Sequence, residues 1–476
     1  MAKITTTRSK TGKGEVTKKV GVPAAEVRGY MPQDVPPWGA MLSLGFQQVL
    51  TMFPATVLVA ILTKFDVGVT LLASGLGTII ALLVTRRRIP MYYGSSFSYI
   101  TVIITVMALY DRACFESAAT YCPDGVRLAQ VGIVATAILQ IGVGFLIQYI
   151  GKERLDIVLP PIVTSSIAIV IGVALAGAAL SMASANWLVA FITLFATIFF
   201  SVYLEGKGLW GMLPILWGAI FGYVASVLLG IVDFTTFVEA EWLRVPNITF
   251  PAFADPRAWA VATSVALIAI ATVPESVAHL YQIDLYVDQL AKDQGRKPLG
   301  IKNLVGLNLI ADGTADVVNG VMGGCSGTNY GENIAVMAVT RNYSAAVMMA
   351  AGGIAIALGF VGKLAGLVGT IPVAVTGGLA IYLFGVIGKQ GVALLQSERV
   401  NLFDPKNLAI GATILILGIG GAMALPDGLF PFAIPVVFPE GIPAIVFSAI
   451  VGILINVILI ILPPTRFGAP KHGPME

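Results

Sequence analysis

The sequence predicts an all-α polytopic membrane protein with about fourteen transmembrane segments. Three observations carry that reading. Apolar residue types make up 57% of the 476 residues and charged types only 12%, against about 25% charge in a soluble domain. Mean hydropathy is +0.87. Apolar stretches of about 18 residues or more recur along the chain, each long enough to cross a bilayer as a helix.

The first apolar run begins near Trp38, behind a polar, basic, proline-bearing stretch read as a flexible cytoplasmic tail over residues 1–36. No cleavable signal peptide is visible ahead of that run. The expected spans are 38–63, 67–85, 91–110, 127–150, 156–182, 187–205, 209–232, 257–283, 303–321, 327–341, 344–362, 371–395, 406–424 and 442–463.

Basic residues test this count independently, because Lys and Arg collect in cytoplasmic connections. With the N-terminus inside and the spans alternating, 23 of the 29 Lys and Arg fall inside, and the C-terminus is also cytoplasmic. The six outside are Lys64, Arg112, Arg127, Arg244, Arg257 and Lys363. A wrong span count would mix the two sets from the error onwards. Of the three cysteines, Cys114 and Cys122 then flank an outside loop, where a disulfide and two unpaired thiols are both open. The triplet Arg86-Arg87-Arg88 reads as a topology signal.

One internal echo bears on organisation. Tyr93-Gly94-Ser95-Ser96-Phe97 opens span 3, and Tyr330-Gly331-Glu332-Asn333-Ile334 opens span 10, about half the chain later. Seven spans per half is odd, so a duplication would set two inverted repeats in opposite orientation, with Gly-interrupted helices in matching positions.

Acids inside spans are costly and point to function. Four qualify: Glu275, Asp312, Asp316 and Glu332. Glu275 and His279 are four residues apart in span 8 and share a helix face, so the pair can hold or pass a proton. Pro274, just before Glu275, is expected to weaken the helix there and free a carbonyl. Glu332 follows Gly327-Thr328-Asn329-Tyr330-Gly331, expected to be extended or turned, so that a helix starts near Glu332 with free N–H groups. Ser95, Ser96 and Phe97 would present the matching helix start. Asp312 and Asp316, one turn apart, are expected to support the broken-helix backbone or pair with Arg341. Two facing carboxylates suit a neutral ring with two N–H donors flanked by carbonyls, the carbonyls being served by backbone N–H groups.

At these residues the chain resembles the nucleobase–ascorbate transporter family, and within it the bacterial uracil permeases. The resemblance runs from about Trp38 to Pro464 and is strongest over Asn329-Tyr330-Gly331-Glu332-Asn333-Ile334-Ala335-Val336-Met337-Ala338-Val339-Thr340-Arg341. Gly94-Ser95-Ser96-Phe97, Glu275 with His279, Ile371-Pro372 and Gly377-Gly378 support it. The resemblance implies two inverted seven-span repeats, with short strands breaking spans 3 and 10, and a homodimer. It implies a core domain over 37–150 and 257–368 (spans 1–4 and 8–11) and a gate domain over 151–256 and 369–464 (spans 5–7 and 12–14), with residues 465–476 as a C-terminal tail. It implies a proton-coupled importer of a nucleobase, most similar to uracil carriers, in the plasma membrane, working by alternating access. Substrate would meet Glu275, Glu332, Phe97, Gly331, Tyr330 and Ser96. His279, Glu275, Asn333 and Gln48 would hold or support the proton. No cofactor, metal or nucleic acid is implied.

The sequence departs from the family pattern in places. Gln48 stands where many relatives have His, Pro54 where Gly is usual, and Ala335 where the signature has Gly, adding a methyl near the half-helix packing surface. Ser276 follows Glu275 where uracil permeases often have His. A xanthine or uric acid carrier is the alternative within the family, since those rings present a similar edge. An anion carrier of the same fold would need positive potential, which two glutamates oppose. An intramembrane enzyme is disfavoured, because no His-Glu-x-x-His or Gly-x-Gly-Asp arrangement occurs in a span. A channel fits broken helices in each half less well.

Overall fold

The computed structural model describes residues 29–462, except residue 118 and positions 152–156, 158, 205–206, 208–210, 212, 436–437 and 439. Residues 1–28 and 465–476, and with them most of the expected tails, lie outside the described residues.

Helices dominate, and several begin where the sequence gives a start signal. They are α1 (Trp38–Leu62), α2 (Val67–Val84), α3 (Ile100–Tyr110), α4 (Pro123–Ile150), α5 (Pro161–Ala174), α6 (Ala176–Ser184), α7 (Trp187–Tyr203) and α8 (Pro214–Leu228). The second half adds α9 (Ala258–Ala266), α10 (Ala269–Asp293), α11 (Val305–Met322), α12 (Gly331–Thr340), α13 (Ala345–Gly359), α14 (Gly362–Gly369), α15 (Val373–Ser397), α16 (Pro405–Leu415) and α17 (Ala444–Ile461). Pro opens α4, α5, α8 and α16 at the position where its missing N–H is harmless. Asp66 caps α2 by accepting the Val69 N–H at 3.0 Å, and Arg244 and Asn247 hold its carboxylate at 2.8 Å each. Asn186 caps α7 in the same way.

Among the described residues, seven helices are long and apolar enough to cross a membrane, and the bent pair α9–α10 makes an eighth if it is one span. Further apolar helices are shorter, among them α7, α8 and α13.

Two three-residue strands interrupt this pattern. β1 (Tyr93–Ser95) pairs antiparallel with β2 (Gly327–Asn329), Tyr93 opposite Asn329 and Ser95 opposite Gly327. Every residue of both is buried. A second small ribbon joins Leu429–Phe430 to Ile442–Pro443.

Packing gathers the helices into two sets. α4 lies along α9 and α11, while α2 lies along α11 and α13, with α1 on α13. Separately, α15 lies along α5, α6 and α7, α7 along α8, and α16 along α5 and α17. Small residues allow close approach. A Cβ on Gly352 would sit 2.7 Å from the Gly75 carbonyl, and a Cβ on Gly359 would sit 2.7 Å from that of Gly68. Between α4 and α11, a Cβ on Gly306 would sit 2.6 Å from the Gly144 carbonyl.

Several expectations need correction. The end of the 1–36 tail is fixed to the body: Tyr30 donates to the Arg341 carbonyl at 3.0 Å and accepts from Tyr343 at 2.8 Å, and Met31 is buried. Pro274 frees a carbonyl within α10, as its missing N–H requires, but it is not where the helix bends. The helix runs through it, and the bend of 40° falls one to two turns earlier, at the break between Ala266 and Ala269. Proline's ring conflicts with the carbonyl one turn back, so the distortion is expressed on its N-terminal side. α10 also continues ten residues past the expected end at 283, along a polar stretch ending at Asp293. Arg341 pairs with Asp293 at 3.2 Å, not with Asp312 or Asp316. Ala335 is exposed, so its methyl does not press on the packing surface of α12. Cys114 and Cys122 form a disulfide, and Cys325 is free and buried.

Replacing Gly75 by Val should lower stability by about 1–3 kcal/mol, because the added atoms meet the α13 backbone. Gly353→Ala, whose Cβ meets nothing within 4 Å, should be near neutral. Thermal unfolding of the two variants in detergent measures the difference.

Candidate substrate-binding site

The strand pair fixes where two helices start. Backbone groups in an apolar interior must be satisfied internally, and the chain does so with a set of buried polar side chains. Asp316, on α11, accepts from the Gly327 N–H and, at 3.1 Å each, from the Ser326 and Tyr99 hydroxyls. Asp312, one turn earlier, accepts from Thr328 at 3.2 Å. The Tyr93 N–H donates to Thr78 at 3.0 Å, and the hydroxyls of Thr78 and Ser74 donate to the Tyr93 carbonyl. The Tyr330 hydroxyl donates to the Ser95 carbonyl at 2.8 Å and meets Thr56 at 2.9 Å. Gly94 must lack a side chain here, since a Cβ would sit 2.8 Å from the Tyr330 ring. Asp312 and Asp316 thus hold backbone and strand side chains, as a supporting role requires.

From this crossing the two helix starts face a cavity of about 810 Å³. One start runs Ser96-Phe97-Ser98 into α3, with the Ser96 hydroxyl accepting the Ser98 N–H at 3.2 Å. The other is Gly331-Glu332 at the head of α12. The first N–H groups of α12 have no carbonyl from an earlier turn to bond, and they carry the positive end of the helix dipole. α10 supplies Glu275, His279 and Gln282 to the same cavity, and α15 closes the far side with Tyr382, Leu383, Val386 and Gln390.

The side chains inside are held in defined orientations. Ser98 donates to Glu275 Oε2 at 2.9 Å. Asn329 Nδ2 donates to Ser276 Oγ at 2.8 Å and to Asn308 Oδ1 at 3.3 Å. That leaves Asn329 Oδ1 facing His279 Nδ1 at 2.8 Å. An amide oxygen only accepts, so Nδ1 carries a proton and Nε2 is the nitrogen free to gain or lose one. Nε2 lies against Gly331, where a Cβ would come within 2.7 Å of it. Ser276 is therefore part of the frame that sets the histidine tautomer.

The structure brings Glu275, Glu332, Phe97, Gly331, Tyr330, Ser96 and His279 to one cavity. Tyr330 borders it, while its phenol is committed to the strand crossing and its ring stacks on Tyr92. Asn333 and Gln48 are not in the lining. Asn333 Nδ2 donates to Gln48 Oε1 at 2.8 Å and to the Gln48 carbonyl at 3.0 Å, behind the wall. Gln48 is buried and braces α12 from α1. Sequence reading gave no role to Ser98, Asn329, Tyr382 or Gln390. Asn329 sits inside the quoted signature, so a signal existed for it, whereas Gln390 stands beside Lys389 and carries no motif. No Lys or Arg lines the cavity among the described residues.

Residues 39–427 match the Permease family (Xan_ur_permease). The chain belongs to the nucleobase–ascorbate transporter family. Within that family it is 36% identical over 439 residues to the uracil permease of Bacillus caldolyticus, covering 90% of this chain and 94% of that one. It is 33% identical over 398 residues to the uracil permease of Escherichia coli (81% and 86% covered). It is 32% identical over 445 residues to the putative pyrimidine permease RutG of Escherichia coli (91% and 93% covered). These relatives are permeases, not enzymes. Two solved structures share the fold. They are the transmembrane domain of the cyanobacterial bicarbonate transporter BicA (TM-score 0.55, 15% identity, 88% of this chain and 96% of that one) and SLC26A9 (TM-score 0.62, 13% identity, 89% and 65%). At such identities the likeness concerns architecture alone.

Replacing Asp316 by Ala should destabilise the protein more than Asp312→Ala. The first strands three buried donors, each left unsatisfied at about 1–3 kcal/mol, and the second strands one. Unfolding midpoints of the two variants in matched detergent give the comparison.

Proposed function

We propose that this permease imports a nucleobase, with uracil the best fit, through proton symport with alternating access. The observation that carries the reading is the convergence of Glu275 from α10 and Glu332 from α12 on one cavity, beside two helix starts. A uracil-like ring has N–H donors for carboxylates and carbonyls for backbone N–H groups. It is uncharged, so it needs no cationic side chain, in keeping with a lining free of Lys and Arg. An anion would find two carboxylates and, among the described residues, no Lys or Arg, which argues against the bicarbonate-type alternative despite the shared architecture. The names of the relatives support a pyrimidine over a purine.

The proton step follows from the same groups. Two carboxylates facing one cavity repel each other and are costly to keep charged together once a ring closes the water out, so one takes up a proton during the cycle. His279 Nε2 lies one helical turn from Glu275 and can relay it. Ser98 and Asn329 keep donor and acceptor in place. Asn333 and Gln48 steady the head of α12.

In this reading, fourteen passes are α1, α2, α3, α4, α5–α6, α7, α8, α9–α10, α11, α12, α13, α15, α16 and α17. The halves are inverted repeats, and β1 and β2 are the matching interruptions. The two packing sets correspond to a core carrying Glu275 and Glu332 and a gate carrying Tyr382 and Gln390. Movement of one set against the other would open the cavity alternately to the two sides of the plasma membrane, with both termini cytoplasmic. The protein works as a homodimer.

Proteoliposomes should take up labelled uracil faster with a proton gradient directed inward than without one. Xanthine and uric acid serve as competitors in the same assay, and uptake of none of the three overturns the carrier reading. Glu332→Gln should weaken uracil binding by about tenfold or more, the loss of one charge-assisted hydrogen bond of about 1.5–3 kcal/mol, while the variant unfolds like the parent. Tight binding by that variant removes Glu332 from the site.

A further inference from the structure

The cavity is larger than one pyrimidine needs. Its volume of about 810 Å³ lies toward the upper end of the ~300–1,000 Å³ that holds drug-sized ligands. The ring gripped by Glu275 and Glu332 would fill only one end. The other end runs along α10 to Gln282 and along α15 to Gln390 and Ser397.

Gln282 follows Glu275 by seven residues and His279 by three, so all three share one helix face. At 1.5 Å per residue its Cα lies about 10 Å beyond that of Glu275, more than the width of a six-membered ring. Gln390 follows Tyr382 and Val386 at four-residue steps and stands on the opposite wall. Gln282 is half-buried and Gln390 exposed at the cavity mouth. Neither amide is engaged with another protein group among the described residues, in contrast to Gln48, Gln130 and Gln140, which are all hydrogen-bonded. The wall around them is largely apolar, with Pro214, Ile215, Ala393 and Leu394.

We infer that Gln282 and Gln390 form a second, weaker nucleobase subsite on the path between the central site and the cavity mouth. The inference rests on the nucleobase reading above. A glutamine amide places a C=O acceptor beside N–H donors, and that pair matches the adjacent N–H and C=O on one edge of a pyrimidinedione. Two amides on facing walls can take the two edges of a flat ring. The subsite has no charge, so its hydrogen bonds are weaker than those of the carboxylates. A transit position must bind well enough to receive the ring and loosely enough to release it. Without it, a ring leaving Glu275 and Glu332 would pass a largely apolar wall with only water to take its polar edges.

Saturation binding of radiolabelled uracil to the purified protein tests this. The unmodified chain should bind one ring tightly and a second one weakly. Gln282→Leu combined with Gln390→Leu should keep the tight site and weaken the second at least tenfold, and Glu332→Gln should do the reverse. Should the double variant fail to fold, Gln390→Ala changes only an exposed side chain and should weaken the second site several-fold with the tight site intact. A single site in the unmodified chain, or a second site within twofold of normal in the variants, overturns the subsite. Absence of any uracil binding by the unmodified chain would instead overturn the nucleobase reading itself.

Discussion

The structure depends on how the backbone is satisfied where β1 and β2 cross. A helix that stops inside an apolar layer leaves N–H and C=O groups without partners, and lipid offers none. Here two interruptions meet and pair with each other, and the remainder is taken up by Asp316, Asp312, Thr78, Ser74 and the Tyr330 hydroxyl. Once the crossing is closed in this way, both helices that leave it begin beside the paired strands and face the same cavity. The site is therefore a by-product of solving a backbone problem.

The same economy explains the division of labour among the acids. Asp312 and Asp316 point into the scaffold, and Asp316 is saturated with donors from three directions. Glu275 and Glu332 point into the cavity, where Glu275 is held by one serine hydroxyl. Acids that look alike in the sequence differ in what they face. The chain of amides from Asn308 through Asn329 to His279 extends the scaffold to the edge of the site and presents one nitrogen of the imidazole to it.

Much of this was legible in the residues. Hydrophobic length located the apolar helices, since α1, α2 and α7 start at the expected residues and end within two of the expected ends. The echo between residues 93–97 and 330–334 falls on β1 and just after β2. Acids in apolar stretches located Glu275, Glu332 and the supporting pair. What was not legible is relational. Pro274 signals a distortion, but the sequence does not say that the bend is expressed earlier, near Leu267. Gln48 and Asn333 read as site residues by motif, yet they bond to each other behind the wall. Residues 29–36 read as tail by composition, yet their backbone pairs with residues after α12. Gln390 carries no motif, and only the packing of α15 across the cavity brings it into view.

The central claim is that two distant glutamates grip one neutral ring between paired helix starts. An experimental structure with uracil bound tests it most directly. Ring density is expected within about 2.7–3.2 Å of both Glu275 and Glu332 and of a backbone N–H at Phe97 or Gly331. Uracil bound elsewhere, with neither carboxylate in reach, would contradict it.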